Sequence, residues 1–201
     1  MFSRRAFLAG LAASILMAGA PAPPAVRLAA QYDAMGVERL WLPGHQIHWR
    51  TGEIRSDSPG KTHCSAFLAA ACERLGIYIL RPPEHGQALL ANAQAQWLRR
   101  SGPDQGWQPV DSPFKAQELA NAGKVVVAVY ESPDPRKSGH AALVRPFDKS
   151  DALLETEGPQ VTQAGAENAA STTLKQGFRH HRGAWVSARE FHVEFFVHDL
   201  P

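Results

Sequence analysis

The sequence predicts an α+β fold in which helices come first and antiparallel strands follow. Three observations carry that expectation. Residues 62–76 place Cys64, Phe67, Leu68, Ala71, Cys72 and Leu75 at the i, i+3, i+4, i+7 spacing of one helix face and close on Gly76. Residues 112–123 open with Ser112-Pro113, an N-cap followed by proline at the first helical position, and end at Gly123. Residues 124–130 and 139–145 are then rich in β-branched and small apolar side chains, with a polar, proline-containing loop between them.

Taken in order, residues 1–30 read as an export signal and an Ala/Pro linker, leaving 31–201 as one domain. Ser3-Arg4-Arg5-Ala6-Phe7-Leu8 precedes an uncharged, mostly apolar run to Ala20 that is shorter than the roughly 20 residues a spanning helix needs. The paired arginines resemble a twin-arginine signal, which places the mature chain in a bacterial periplasm with no membrane-spanning helix. Residues 32–49 read as irregular or short strands, and 51–60 as a loop on turn chemistry. After the helix at 62–76, a second helix is expected from Glu84 or Gln87 to Arg100, with Thr62 as the N-cap of the first. Beyond Arg145 the expectation is a short strand at 152–155, another at 159–165, a loop or short helix at 167–176 and a terminal strand at 190–198.

Charge and cysteine usage narrow the chemistry. Arg4, Arg5 and Arg27 are three of the 21 Lys and Arg residues and no acid falls in 1–30, so the rest carries 18 basic against 19 acidic residues. No basic run stands out, which argues against nucleic acid as a partner. The two cysteines lie eight residues apart on one expected helix, about 12 Å along its axis. That exceeds the reach of a disulfide, about 7 Å between Cα atoms, so an exported chain carries free thiols. Nine histidines are present, but there is no HExxH and no close cysteine pair, so neither metal nor cofactor is expected. His192 and His198 share strand parity and read as surface or core histidines. The five tryptophans, Trp41, Trp49, Trp97, Trp107 and Trp185, can line a cleft for a sugar or peptide, though most read as core or rim.

Cys64 falls in the first turn of its helix, where unpaired N–H groups and the helix dipole favour a thiolate. A cysteine nucleophile also needs a base and a third group that fixes the base's tautomer. His140 heads an expected strand, where its side chain can reach a helix N-terminus. Thr62-His63-Cys64-Ser65-Ala66-Phe67-Leu68 resembles the Asp-Cys-Ser-Gly-Phe-Val nucleophile motif of the NlpC-type cell-wall cysteine peptidases, a papain-like set related to CHAP amidases. Gly139-His140-Ala141-Ala142-Leu143-Val144 is similar to their Gly-His-Val-Gly-Ile-Tyr base motif, and Val161-Thr162-Gln163-Ala164 to their Val-Ile-His-Ala strand. The departures are His63 for Asp, Ala66 for Gly and Gln163 for His.

The resemblance implies a papain-like NlpC-type fold, with the nucleophile helix packed on the antiparallel sheet. It implies Cys64 as nucleophile, His140 as base and Gln163 as the orienting residue, with Glu155, Glu157 and Asn168 as rivals for the third role. The activity implied is hydrolysis of amide bonds in peptidoglycan stem peptides through a thioester. Two other readings stand beside it: an inactive periplasmic binding or scaffold domain, and a papain-like amidase or acyltransferase with a substrate outside the wall.

Overall fold

A computed structural model describes residues 21–201, and residues 1–20, where an export signal is expected, lie outside the described part. In chain order the elements are α1 (Pro24–Ala34), β1 (His45–Ile47), β2 (Ile54–Asp57), α2 (Cys64–Arg74), α3 (Leu90–Arg100), β3 (Gln108–Val110), α4 (Pro113–Asn121), β4 (Val125–Tyr130) and β5 (His140–Val144). They continue with α5 (Asp151–Glu157), β6 (Gln160–Gln163), β7 (Ala169–Thr173), α6 (Leu174–Gly177), β8 (Trp185–Ser187), β9 (Glu190–Phe191) and β10 (Glu194–His198). The α+β class and the antiparallel pairing follow the expectation.

The sheet is built on β4, whose six residues are all buried, as an unbroken apolar run of Val and Ala requires. Six strands run in the order β3-β10-β4-β5-β6-β7, every neighbouring pair antiparallel. Alternation along the strands divides the core in two. Val125, Val127, Val129, Ala141 and Leu143 pack against α1, α2 and α3, while Val126, Ala128, Tyr130, Ala142 and Val144 pack against α4 and the 174–185 region.

Helix α2 is buried all round from Cys64 to Cys72 rather than along one stripe. Phe67 and Leu68 have no exposure, and each such side chain stabilises the fold by about 1.5–3 kcal/mol. Its N-cap position is held by His63, not Thr62, with no side-chain cap. Gly76 ends it with φ +74°, a left-handed turn that favours glycine.

The structure corrects six expectations. The Ala/Pro-rich stretch is not all linker: Pro24 opens α1, which buries Leu28 and Tyr32 one turn apart. The start of this helix packs so closely on Gly123 that a Cβ there would lie 2.4 Å from that of Pro24. Residues 152–155 are not a strand but the middle of α5, which Ser150 caps by accepting a hydrogen bond from the Leu153 N–H. The loop at 51–60 contains β2, and 167–176 contains β7 as well as the start of α6. The terminal strand breaks at His192-Val193, so β9 pairs with β8 while β10 enters the large sheet. The second expected helix starts later, at Leu90, after Leu89 at φ +54°. Among the described residues no helix is long and apolar enough to cross a membrane.

Candidate active site

The site lies where α2 meets the open end of β5. The β4 to β5 ladder runs through to Tyr130 and His140, but the β5 to β6 ladder pairs only Val144 with Val161 and Leu143 with Thr162. On the edge facing β6, Arg145 donates its N–H to the Gln160 carbonyl. The two-residue alternation of an antiparallel ladder brings Ala141 to the same edge, beyond the last pair. There its N–H helps to offset the effect of burial on the Cys64 thiol, which sits beside the residue that follows His140.

Burial pushes the Cys64 thiol up. Four donors oppose it: the backbone N–H groups of Ala141, Ser65 and Cys64, and the Ser65 hydroxyl. The first hydrogen bond within this end of the helix runs from the Phe67 N–H to the His63 carbonyl, so the N–H groups ahead of it are free to face the sulfur or a ligand. Cys72 is fully buried, its thiol pushed up to about 12 by burial, and it fills the core as expected. Both cysteines are free.

His140 Nε2 donates to Gln163 Oε1 at 2.6 Å. The direction of this bond follows from the other half of the amide, because Gln163 Nε2 donates to the Glu167 carbonyl at 3.1 Å. With the proton on Nε2, Nδ1 carries the lone pair. Among the described residues no hydrogen bond joins His140 Nδ1 to the Cys64 thiol. Phe178 meets the His140 ring edge-on at 4.6 Å, and His181 stacks on it at 5.2 Å. Burial pulls His140 down to about 4, against the opposing effect of Gln163. His181 is likewise pulled down to about 4 by burial, with His140 and His180 adding to it.

Of the rivals for the third role, none reaches His140. Glu155 pairs with Arg189 at 3.0 Å and Glu157 with Lys149 at 3.1 Å. Asn168 donates to the carbonyls of Val37, Leu40 and Trp41 and accepts from the Gly165 N–H, which makes it a loop clamp.

Several residues that position the site carry no motif. Asn92, buried on α3, accepts from the N–H groups of Gly139 and Ser132 and donates to the Lys137 carbonyl, holding the loop that leads into His140. Gly139 passes so close to β4 that a Cβ would lie 1.9 Å from the Tyr130 carbonyl oxygen. Gly177 backs Gln163, where a Cβ would lie 2.8 Å from Oε1. Gln94 donates to the carbonyls of Ser65 and Leu80, securing the start of α2. His63 turns away from the thiol, its Nε2 bonding to the His45 carbonyl at 2.9 Å, and burial lowers its pKa.

The site is closed: Cys64, His140 and Gln163 are 4%, 5% and 3% exposed. A surface groove of about 620 Å³ adjoins it through Asn92 and Ser132 but is lined by neither Cys64 nor His140. Among the described residues no cluster of three or more His, Cys, Asp or Glu could hold a metal. Trp41 and Trp107 are core residues with their indole N–H groups bonded to the carbonyls of Trp49 and Tyr78. A scan against protein-family models and a search of curated proteins find no match to this chain.

Proposed function

We propose that this protein is an exported cysteine hydrolase that cleaves amide bonds in peptidoglycan stem peptides. The observation that carries the reading is the hydrogen bond from His140 to Gln163, which leaves Nδ1 as the basic nitrogen of a ring whose chain neighbour, Ala141, lies beside the Cys64 thiol. The wall substrate and the periplasm rest on the resemblance of residues 62–68, 139–144 and 161–164 to NlpC-type peptidases and on the signal-like residues 3–20.

In this mechanism thiol and imidazole are both neutral at rest, in keeping with a thiol pushed up and an imidazole pulled down by burial. As the Cys64 sulfur bonds to the carbonyl carbon, its proton passes to His140 Nδ1. The carbonyl oxygen becomes an oxyanion held by N–H groups at the start of α2. The imidazolium returns its proton to the amine as the C–N bond breaks, leaving a thioester. Water then attacks with His140 as base, the C–S bond breaks, and the thiol is restored. Gln163 is uncharged, so it fixes the ring without stabilising the imidazolium as a carboxylate would.

The small exposure of Cys64 and His140 favours a second reading, a binding domain of the same fold without turnover. Digestion of purified muropeptides separates the two. Mass analysis should show stem peptides shortened by the wild type and intact with Cys64→Ala. Muropeptides left unchanged by the wild type would remove the wall-peptidase reading.

A further inference from the structure

Away from the thiol, a shallow pocket of about 280 Å³ is lined by Tyr78, Trp97, Ser101, Asp104 and Gln105. Tyr78 follows α2 and Trp97 lies on α3. Their rings meet edge to face at 5.4 Å and 66°, forming an aromatic corner, and the Arg81 guanidinium lies over the Tyr78 ring at 5.1 Å. Both rings are half-buried, so each is anchored to the fold and leaves part of itself open.

The polar groups of this pocket have not been used by the fold. Among the described residues, the Tyr78 hydroxyl, the Trp97 indole N–H, the Ser101 hydroxyl, the Asp104 carboxylate and the Gln105 amide make no hydrogen bond or ion pair. The contrast with neighbouring surfaces is informative. Trp107 packs just behind and gives its indole N–H to the Tyr78 carbonyl at 2.8 Å. In the larger groove, Gln96 and Arg99 both bond Glu131, and Asn92 is spent on the loop before His140. A third groove along β10, of about 550 Å³, is mostly apolar and has nothing to define an occupant.

Two anchored, partly open aromatic rings in one pocket with unpaired donors and acceptors suit a ligand that has an apolar C–H face and a rim of hydroxyls. A pyranose ring has that chemistry: it stacks on the rings while Asp104 and Gln105 bond its hydroxyl or acetamido groups. We infer that this pocket is a carbohydrate-binding site that takes a pyranose ring of a glycan chain. It lies on α3 and the segment after α2, and neither Cys64 nor His140 lines it. The site therefore stands independently of the thiol chemistry. On a protein acting on the wall it would hold the glycan strand while the stem peptide is presented to Cys64.

The test is a titration of the full chain with tetra-N-acetylchitotetraose, followed through the Trp97 indole N–H resonance and by calorimetry. The expected result is a saturable shift of the Trp97 resonance with Kd of about 0.1–10 mM. Trp97→Ala should weaken binding at least about tenfold. Because Trp97 also packs on the core, Asp104→Ala and Ser101→Ala, at surface positions, are the decisive variants, each weakening binding about three- to tenfold with an unchanged Tm. No shift of Trp97 up to about 10 mM, or binding unchanged in Asp104→Ala and Trp97→Ala, would overturn the inference. Cleavage of soluble stem peptide by Asp104→Ala, measured alongside, reports on Cys64 separately, since sugar binding and thiol chemistry can fail independently.

Discussion

A neutral histidine can take a proton from a neighbouring thiol through only one nitrogen, and Gln163 selects which. Its amide is locked by the Glu167 carbonyl, so the oxygen must face His140 Nε2. Replacing Gln163 with Ala should lower kcat about 10- to 100-fold with little change in KM, measured on purified muropeptides. The hydrogen bond from Gln163 raises the His140 pKa, and burial outweighs it to leave the ring near 4. Activity should therefore hold from neutral pH down to about 5 and fall as the ring protonates toward pH 4. Gln163→Glu, which adds a negative charge, should shift that limb to higher pH in a kcat/KM profile. The pairing of His140 with Gln163 was legible because each sits in a short motif with its own type of neighbour. Asn92 and His181 were not. An Asn on a helix and a His in a loop acquire their roles only when the chain brings Gly139 and His140 to them.

At the scale of elements, the loop between β4 and β5 is held by one side chain. Asn92→Ala would strip partners from two N–H groups and one carbonyl, two of them on buried or part-buried backbone, and should cost about 2–4 kcal/mol in urea denaturation. Gly177→Ala tests the other side of the site. A Cβ at 2.8 Å from Gln163 Oε1 must displace the amide, so kcat should fall while Tm changes by only a few degrees. The strands β4 and β5 and the helix α4 could be read from sequence, since their boundaries carry caps, prolines and β-branched runs. Helix α5 was misread because Ala152-Leu153-Leu154 looks like a short strand. The better signal was its punctuation: Ser150 before Asp151 and Gly158 at the end. In α1 composition hid periodicity, for Leu28, Tyr32 and Met35 recur at helical spacing within a stretch whose Ala and Pro suggested a linker. The break between β9 and β10 depends on pairing with two different sheets, which local sequence does not specify.

Over the whole molecule, two stacked histidines held in neutral form, His140 buried and His181 half-buried, tie stability to pH. His140 and His181 are both held near 4 in the fold, below the ordinary value of about 6.5 that the unfolded chain restores. The unfolded state thus binds protons first as pH falls. The stabilisation is complete above about pH 6.5 and is lost as pH drops toward 4. Thermal melts should show Tm steady between pH 7 and 8 and falling by several degrees by pH 4.5, with the fall reduced in His181→Phe. A Tm that stays level to pH 4.5 would mean that the rings are not buried as described. The three-layer arrangement follows from β4 being apolar on both faces, which the sequence displayed. His140 shares the parity of Ala142 and Val144, so the pleat sets its face, but where the β5 to β6 ladder stops is encoded by no local pattern.

The central claim, that His140 activates Cys64, is tested most directly by the rate at which iodoacetamide alkylates each cysteine, read by peptide mass mapping near neutral pH. Cys64 and Cys72 are both nearly inaccessible, at 4% and 0% exposure, so burial alone gives them similar slow rates. Cys64 should react at least about 100-fold faster than Cys72, and His140→Ala should slow it at least about tenfold. Equal, slow labelling of the two thiols, or faster labelling of Cys64 in His140→Ala, would contradict it.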